Sequence, residues 1–94
     1  MERYNNRKID ETGKIVLHST LREVLKLDKG SKITLSHIGS LVVVGCGEGD
    51  GTTCTVDELG RFELPSEVRK EFGWTTGSEV AVYHTGTQLV LKTA

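Results

Sequence analysis

The most informative stretch of this 94-residue chain is Val56-Asp57-Glu58-Leu59-Gly60-Arg61-Phe62-Glu63-Leu64-Pro65-Ser66-Glu67-Val68-Arg69-Lys70-Glu71-Phe72-Gly73. Its first part predicts a short strand that ends near Asp57, a tight turn, and a second strand over 61–64. Gly60 can adopt the positive φ that such a turn needs, and the Asp57 carboxylate can accept hydrogen bonds from the nearby backbone. The stretch therefore begins with two strands joined by a turn.

The second part predicts a helix of about two turns. Pro65 presets φ at its start, Ser66 is a candidate N-cap, and Gly73 ends it. Val68 and Phe72 fall on one face at helical spacing, which predicts that this face packs on the core.

The chain contains this unit twice. A shift of 47 residues aligns Ile9–Gly45 with Val56–Lys92 without a gap, which indicates an internal duplication. The identical pairs are Asp10/Asp57, Glu11/Glu58, Gly13/Gly60, Leu17/Leu64, Ser19/Ser66, Arg22/Arg69, Gly30/Gly77, Ser31/Ser78, His37/His84, Gly39/Gly86 and Val43/Val90.

The first copy carries similar helix signals. Ser19 is a candidate cap, Thr20 and Glu23 fit a capping box, and Leu21, Val24 and Leu25 share an apolar face. In each copy, an alternating strand then follows, around 33–35 and 80–82. Hairpin turns at 37–40 and 84–87 lead to a last strand, so each copy is predicted to be ββαββ.

We expect one domain over 1–94, with a first repeat at 7–45, a glycine-rich linker at 46–53 and a second repeat at 54–92. Neither repeat, at about forty residues, can bury both faces of its strands alone, so the two must interlock or pair. The linker glycines do not predict a phosphate-binding loop, because no lysine follows them and no helix opens from them. Glu48 and Asp50 would also repel phosphate.

The composition is that of a globular protein whose core rests on Val, Ile and Leu, since only 5% of residues are aromatic. No apolar run is long enough to cross a bilayer, and we expect a cytoplasmic protein. The formal net charge is −1, but residues 1–47 have a balance of +3 and residues 48–94 one of −4. The first half is therefore the better candidate to face a polyanion.

The residues that could carry chemistry favour structural roles. Cys46 and Cys54 are expected to be reduced thiols rather than a disulfide, and two cysteines are too few for a structural zinc site. Asp10 and Asp57 are interpreted as turn stabilisers, and Ser19 and Ser66 lack the partners that nucleophilic catalysis requires. His37 and His84 are interpreted as polar turn residues, and Trp74 as a core or edge filler. We expect no enzyme activity, no metal and no cofactor.

The pattern Val56-Asp57-Glu58-Leu59-Gly60-Arg61-x-x-Leu64-Pro65-x-Glu67-Val68-Arg69-Lys70, followed by Gly77-Ser78 and an apolar hairpin, resembles the AbrB/SpoVT/MazE family of DNA-binding domains. Ile9-Asp10-Glu11-Thr12-Gly13-Lys14-Ile15-Val16-Leu17-x-Ser19-x-Leu21-Arg22 is a second, less regular example. The resemblance implies a mainly β fold with two short helices: a swapped-hairpin, double-psi-like β-barrel. Family members usually exchange hairpins in a dimer, so this chain resembles a fused pseudo-dimer.

The resemblance also implies a sequence-selective regulator of transcription that binds double-stranded DNA on the nucleoid. Basic residues around the first turn and on the helix contact DNA in the family. In this chain the corresponding positions are Arg7, Lys8, Lys14, Arg22, Arg61, Arg69 and Lys70.

The two copies depart from the family pattern in different places. Cys54 and Thr55 stand where the first copy has Arg7 and Lys8, and Glu23 stands where the second copy has Lys70. His18 also replaces the usual proline. Each copy therefore lacks part of the basic set, which indicates an asymmetric target or a lower affinity.

The residues themselves fit DNA, because arginine suits phosphate oxygens and guanine edges, and a pseudo-twofold protein matches the approximate symmetry of a duplex. Other interpretations remain open. The arginines could be solvated helix residues, and the pseudo-dimers could associate further. The chain could also be an antitoxin that binds a toxin and its own promoter, or a protein-interaction module that has lost DNA binding.

Overall fold

A computed structural model describes residues 2–47, 49, 51–86 and 88–94, without the side chain of Glu2. The described residues form a mainly β structure with two helices, as the sequence predicted. The elements are β1 (Glu2–Lys8), β2 (Lys14–Val16), α1 (Ser19–Leu25), β3 (Lys32–Ile38), β4 (Leu41–Cys46), β5 (Thr52–Thr55), β6 (Arg61–Glu63), α2 (Ser66–Phe72), β7 (Glu79–Thr85) and β8 (Gln88–Thr93).

The strands form two antiparallel sheets whose pairings cross between the copies. The larger sheet has the order β1-β7-β8-β4-β3-β5, and β2 pairs with β6 in a two-stranded ribbon. The first strand of each copy pairs with a hairpin strand of the other copy: β1 with β7, and β5 with β3. The hairpins β3–β4 and β7–β8 meet through β4 and β8. Both sheets therefore contain strands from both copies.

One hydrophobic core contains residues from both sheets. Ile15 and Phe62, at the centres of β2 and β6, pair with each other and are buried, while their neighbours along the ribbon are more exposed. Trp74 is also buried, and its Nε1 donates to Thr93 Oγ1 at 3.1 Å, which confirms its role as a filler. The core includes Ile9, Leu17, Leu21, Leu27, Ile33, Leu35, Val42, Val44, Val56, Leu64, Val80, Val82, Leu89 and Leu91.

The predicted N-caps are wrong by one residue. His18 and Pro65 occupy the N-cap positions, whereas Ser19 and Ser66 are the first helical residues. Neither N-cap makes a side-chain cap hydrogen bond, and the predicted capping box of Thr20 and Glu23 is therefore wrong as well. A capping side chain accepts a hydrogen bond from a free N–H group of the first turn, and it does so from the N-cap position. The two serines lie one residue after that position.

The C-termini of the helices show the αL geometry that the sequence predicted only for α2. Gly73 ends α2 with φ 68°, as predicted, and Lys26 ends α1 with φ 56°. Lys26 is the non-glycine residue with positive φ among those described. The first copy therefore holds a strained residue where the second copy has glycine.

The apolar faces of the helices are narrower than predicted. Leu21 and Leu25 of α1 are buried, but Val24 is 52% exposed, so its assignment to the core is wrong. Residues advance by about 100° around a helix, which places Val24 to one side of the stripe through Leu21 and Leu25. Val68 and Phe72 of α2 are half-buried and pack against the core.

The linker is shorter than the predicted range 46–53. β4 extends to Cys46, β5 begins at Thr52, and the Gly47 amide donates to Lys32 O at 2.8 Å. Glu48 and Asp50, expected to repel phosphate, lie outside the described residues, as does Thr87 of the predicted hairpin turn. Within the described ranges, neither seven-residue helix has the length or apolar character to span a bilayer.

Candidate functional site

The first element of the candidate site is the turn at 10–13. The Asp10 carboxylate accepts hydrogen bonds from the amides of Thr12 and Lys14 at 2.9 Å each and from Thr12 Oγ1 at 2.8 Å. Gly13 has φ 79°, and its amide donates to Asp10 O at 3.0 Å. The hydrogen bonds confirm the interpretation of Asp10 as a turn stabiliser.

The turn at 57–60 repeats this geometry. Asp57 Oδ1 accepts from the amides of Leu59 and Arg61 at 2.9 Å each, and Gly60 has φ 76°. The hydrogen bond from the Arg61 amide is the main cause that lowers the pKa of Asp57 from 3.8 to about 2. The amide of Lys14 lowers the pKa of Asp10 in the same way. Both turns therefore carry permanent negative charge near neutral pH.

Ion pairs connect the two turns across the ribbon. Lys14 Nζ lies 3.5 Å from Asp57 Oδ2, and Arg61 Nη1 lies 3.3 Å from Asp10 Oδ2. Arg61 Nε also donates to Asp57 Oδ2 at 2.9 Å. All four side chains are between 24% and 32% exposed. The basic residue after each turn is thus paired with the aspartate of the other turn.

The helix arginines pack on the turn of the opposite copy. A Cβ placed on Gly60 would lie 2.7 Å from Cζ of Arg22, and one on Gly13 would lie 2.9 Å from Cζ of Arg69. Arg69 Nε donates to Leu64 O at 3.0 Å, whereas Arg22 Nε is buried and has no hydrogen-bond partner within the described residues. Each turn glycine therefore serves two purposes: it adopts positive φ, and it makes room for an arginine.

Backbone hydrogen bonds fix this exchange. The Leu17 amide donates to Gly60 O and the Leu64 amide donates to Gly13 O, each at 2.9 Å. Four of the predicted site residues, Lys14, Arg22, Arg61 and Arg69, are consequently brought together around the ribbon. Which helix meets which turn was not predicted from the sequence. The recurrence of both Gly13/Gly60 and Arg22/Arg69 as identical pairs was the available signal.

The remaining three predicted residues differ in accessibility. Lys8, at the end of β1, and Lys70, on α2, are exposed, whereas Arg7 is half-buried. Arg7 Nε is buried without a hydrogen-bond partner in the described part of the chain. Lys8 and Lys70 are therefore the two most accessible of the seven.

A half-buried histidine accompanies Arg7. The ring of His18 lies 5.3 Å from that of Tyr4, centroid to centroid, at an interplanar angle of 48°. Burial, and then the charge of Arg7, lowers the pKa of His18. His18 is therefore neutral near pH 7 and adds no positive charge to the site. Tyr4 was not singled out from the sequence, because nothing in the pattern before the first turn marks it.

The other polar residues have local roles. His37 and His84 lie near the ends of β3 and β7, so their assignment to the turns is wrong by two residues. Their rings still contact the turns, because His37 Nε2 lies 2.6 Å from Gly39 O and His84 Nε2 lies 2.7 Å from Gly86 O. Neither Cys46 nor Cys54 forms a disulfide, as expected. Cys54 Sγ donates to Glu63 O at 3.3 Å, and burial, together with Glu63, raises the pKa of this thiol.

A scan of protein-family models found no match to the chain, and neither did a search of curated proteins. A search of solved structures found the solution structure of PHS018 from Pyrococcus horikoshii, at a TM-score of 0.55 and 14% sequence identity. The similarity covers 99% of this chain and 88% of that chain. At this identity, the match shows similarity of fold alone.

Proposed function

We propose that this chain is a transcriptional regulator of the AbrB/SpoVT/MazE type that binds duplex DNA sequence-selectively. Both half-domains lie in one chain, and the fold is a swapped-hairpin, double-psi-like β-barrel. Its place of action is the cytoplasm, on the nucleoid. Support for the fold comes from the strand pairings between the copies, and support for the family comes from the repeated turn motif.

The observation that carries the proposal is the two-fold repetition of basic side chains around one ribbon. Lys14 and Arg61 occupy equivalent positions, as do Arg22 and Arg69, and the two sets are linked by reciprocal contacts between the copies. Duplex DNA presents phosphates and base edges with its own approximate two-fold symmetry. A two-fold arrangement of basic side chains suits such a partner.

The contacts give these residues different roles. Exposed Lys8 and Lys70 are available for phosphates, which provide most of the affinity in protein–DNA complexes. Lys14 and Arg61 already pair with Asp57 and Asp10, so their contribution to affinity is reduced. We therefore expect moderate affinity with a marked dependence on salt.

Fluorescence anisotropy of labelled duplex DNA at increasing salt tests the proposal. We expect the logarithm of the binding constant to fall linearly with the logarithm of salt concentration. Lys70→Ala should reduce that slope by about 1. Lys92→Ala removes an exposed lysine from β8 and should leave the slope unchanged. Absence of binding to any duplex at low salt would overturn the proposal.

A further inference from the structure

The exchange between the copies assembles two half-surfaces, each built from the turn of one copy and the helix of the other. Half-surface A consists of the turn at 10–13, the end of β1 that leads into it, α2 and the loop at 75–78. Arg69 of α2 packs on Gly13, and the Gly77 amide donates to Ile9 O at 2.8 Å. Thr76 Oγ1 also donates to Asp10 O at 3.5 Å. The turn at 10–13 and the residue before it are thus held against Arg69 of α2 and against the loop that follows this helix.

Half-surface B is the equivalent assembly: the turn at 57–60, the end of β5, α1 and the loop at 28–31. Arg22 of α1 packs on Gly60, and the Gly30 amide donates to Val56 O at 2.8 Å. Lys29 Nζ lies 3.9 Å from Glu58 Oε2, at the rim of this half-surface. The same architecture is therefore present on both sides of the ribbon.

This exchange brings the lysines that distinguish the two copies together on one half-surface. Lys8 directly precedes Ile9, whose backbone bonds to the loop that follows α2, and Lys70 lies on α2 itself. Half-surface A therefore receives both lysines. Half-surface B receives Thr55 and Glu23 at the equivalent positions.

The other aligned positions offset this contrast only in part. Over 7–8, 10–13, 66–72 and 75–78, half-surface A has four basic and four acidic residues: Arg7, Lys8, Arg69 and Lys70 against Asp10, Glu11, Glu67 and Glu71. Over the equivalent 54–55, 57–60, 19–25 and 28–31, half-surface B has two basic and four acidic residues: Arg22 and Lys29 against Asp57, Glu58, Glu23 and Asp28. Half-surface A is therefore neutral overall, whereas half-surface B has a formal charge of −2.

We infer that the two half-surfaces contact DNA unequally, and this inference rests on the proposed function. Half-surface A makes the main phosphate contacts, and half-surface B makes few. The target is then a duplex with one strong half-site and not a palindrome. In sequence, each copy lacks one of the two lysines, so these departures from the family pattern favour neither copy. In the fold, each half-surface combines the strand end of one copy with the helix of the other, so half-surface A has both lysines and half-surface B has neither.

Selection from a random-sequence duplex library with the full chain tests this inference. We expect the wild type to enrich a non-palindromic consensus. The variant Glu23→Lys/Thr55→Lys places lysines on half-surface B at the positions of Lys70 and Lys8, and should enrich a more palindromic consensus. Both positions are exposed, so the variant should fold as the wild type does, which circular dichroism verifies.

A charge-matched control separates the effect of asymmetry between the half-surfaces from the effect of overall charge. Ser40→Lys/Thr85→Lys/Gln88→Lys adds the same charge at exposed positions at the β3–β4 and β7–β8 turns, which lie at the ends of β3 and β7 away from the loops at 28–31 and 75–78. This control should still enrich the non-palindromic consensus. A palindromic consensus with the wild type, or an unchanged one with Glu23→Lys/Thr55→Lys, would overturn the inference while leaving DNA binding intact. Enrichment of no sequence at low salt by any variant would instead overturn the proposed function.

Salt dependence gives a second, independent readout. Lys8→Ala/Lys70→Ala should lower the slope of the binding constant against salt by about 2, and Lys26→Ala/Lys29→Ala, which removes two exposed lysines on or beside half-surface B, should leave it unchanged. Equal reductions by the two double variants would contradict the inference.

Discussion

The guanidinium group of Arg22 lies so close to Gly60 that a Cβ on this glycine would come within 2.7 Å of Arg22 Cζ. Gly60 also has φ 76°, a conformation that L residues adopt at a cost. A substitution at this position therefore meets two separate penalties. The first follows from the backbone, and the second from a side chain of the other copy.

Gly60→Ala should destabilise the fold by about 2 kcal/mol, since about 1 kcal/mol of left-handed strain adds to a smaller cost of displacing the end of the flexible Arg22 side chain. Gly39→Ala is the matched control, because Gly39 has φ 58° but no atom within 4 Å of the position that a Cβ would take. It should cost only about 1 kcal/mol. Urea denaturation measures both free energies of unfolding, and equal values would show that Arg22 does not restrict the turn.

Lys26→Gly should stabilise the protein by about 0.5 kcal/mol, because the relief of positive φ at the end of α1 outweighs the greater flexibility of the unfolded chain. The reciprocal change, Gly73→Lys, should destabilise α2 by a similar amount, since a Cβ at Gly73 has no atom within 4 Å. Thermal and urea unfolding followed by circular dichroism measure both. If Lys26→Gly were less stable than the wild type, the positive φ of Lys26 would not be a source of strain.

Acid should destabilise the protein through its turn aspartates. The pKa of Asp57 is lowered to about 2 in the fold, so its contribution to stability is complete above the ordinary value of 3.8 and is lost as the pH falls toward 2. Asp10 acts in the same direction. In Asp57→Asn, the free energy of unfolding should therefore fall less between pH 6 and about pH 2.5 than in the wild type. An identical pH dependence would show that the Asp57 hydrogen bonds are not specific to the folded state.

The two thiols should differ in reactivity. Cys46 is exposed, whereas Cys54 is half-buried, donates to Glu63 O and has a raised pKa. Since the thiolate is the reactive form, we expect Cys46 to react with a disulfide reagent about tenfold faster than Cys54 at about pH 8. The single variants Cys46→Ser and Cys54→Ser assign the two phases, and a faster reaction in Cys46→Ser than in Cys54→Ser would contradict the assignment.

Most of the secondary structure could be predicted because its signals are local. Asp10 and Asp57 with Gly13 and Gly60 marked both turns, and Gly73 marked the end of α2. Such signals did not predict the exact residue at which each helix begins. Ser19 and Ser66 are good capping residues by type, but the N-cap of each helix falls one residue earlier, at His18 and Pro65, where no side-chain bond forms.

The site was predicted less completely than the fold, because its geometry depends on contacts between copies. Alignment of the repeats shows that Arg22 corresponds to Arg69 but not that Arg22 packs on Gly60. The pairings of Lys14 with Asp57 and of Arg61 with Asp10 were hidden for the same reason. Internal symmetry identifies equivalent residues, whereas the strand exchange determines their partners.

That exchange also constrains how the chain can be made. β1 pairs with residues of β7 that lie 71 to 82 positions further along the chain, from Lys8 with Glu79 to Glu2 with His84. During synthesis from the amino terminus, the first strand therefore has no partner until nearly the whole chain has left the ribosome. Contacts of such long sequence separation slow folding. The nascent protein must keep this strand from pairing elsewhere, and the charged side chains of Arg3, Arg7 and Lys8 at this sheet edge discourage such pairing.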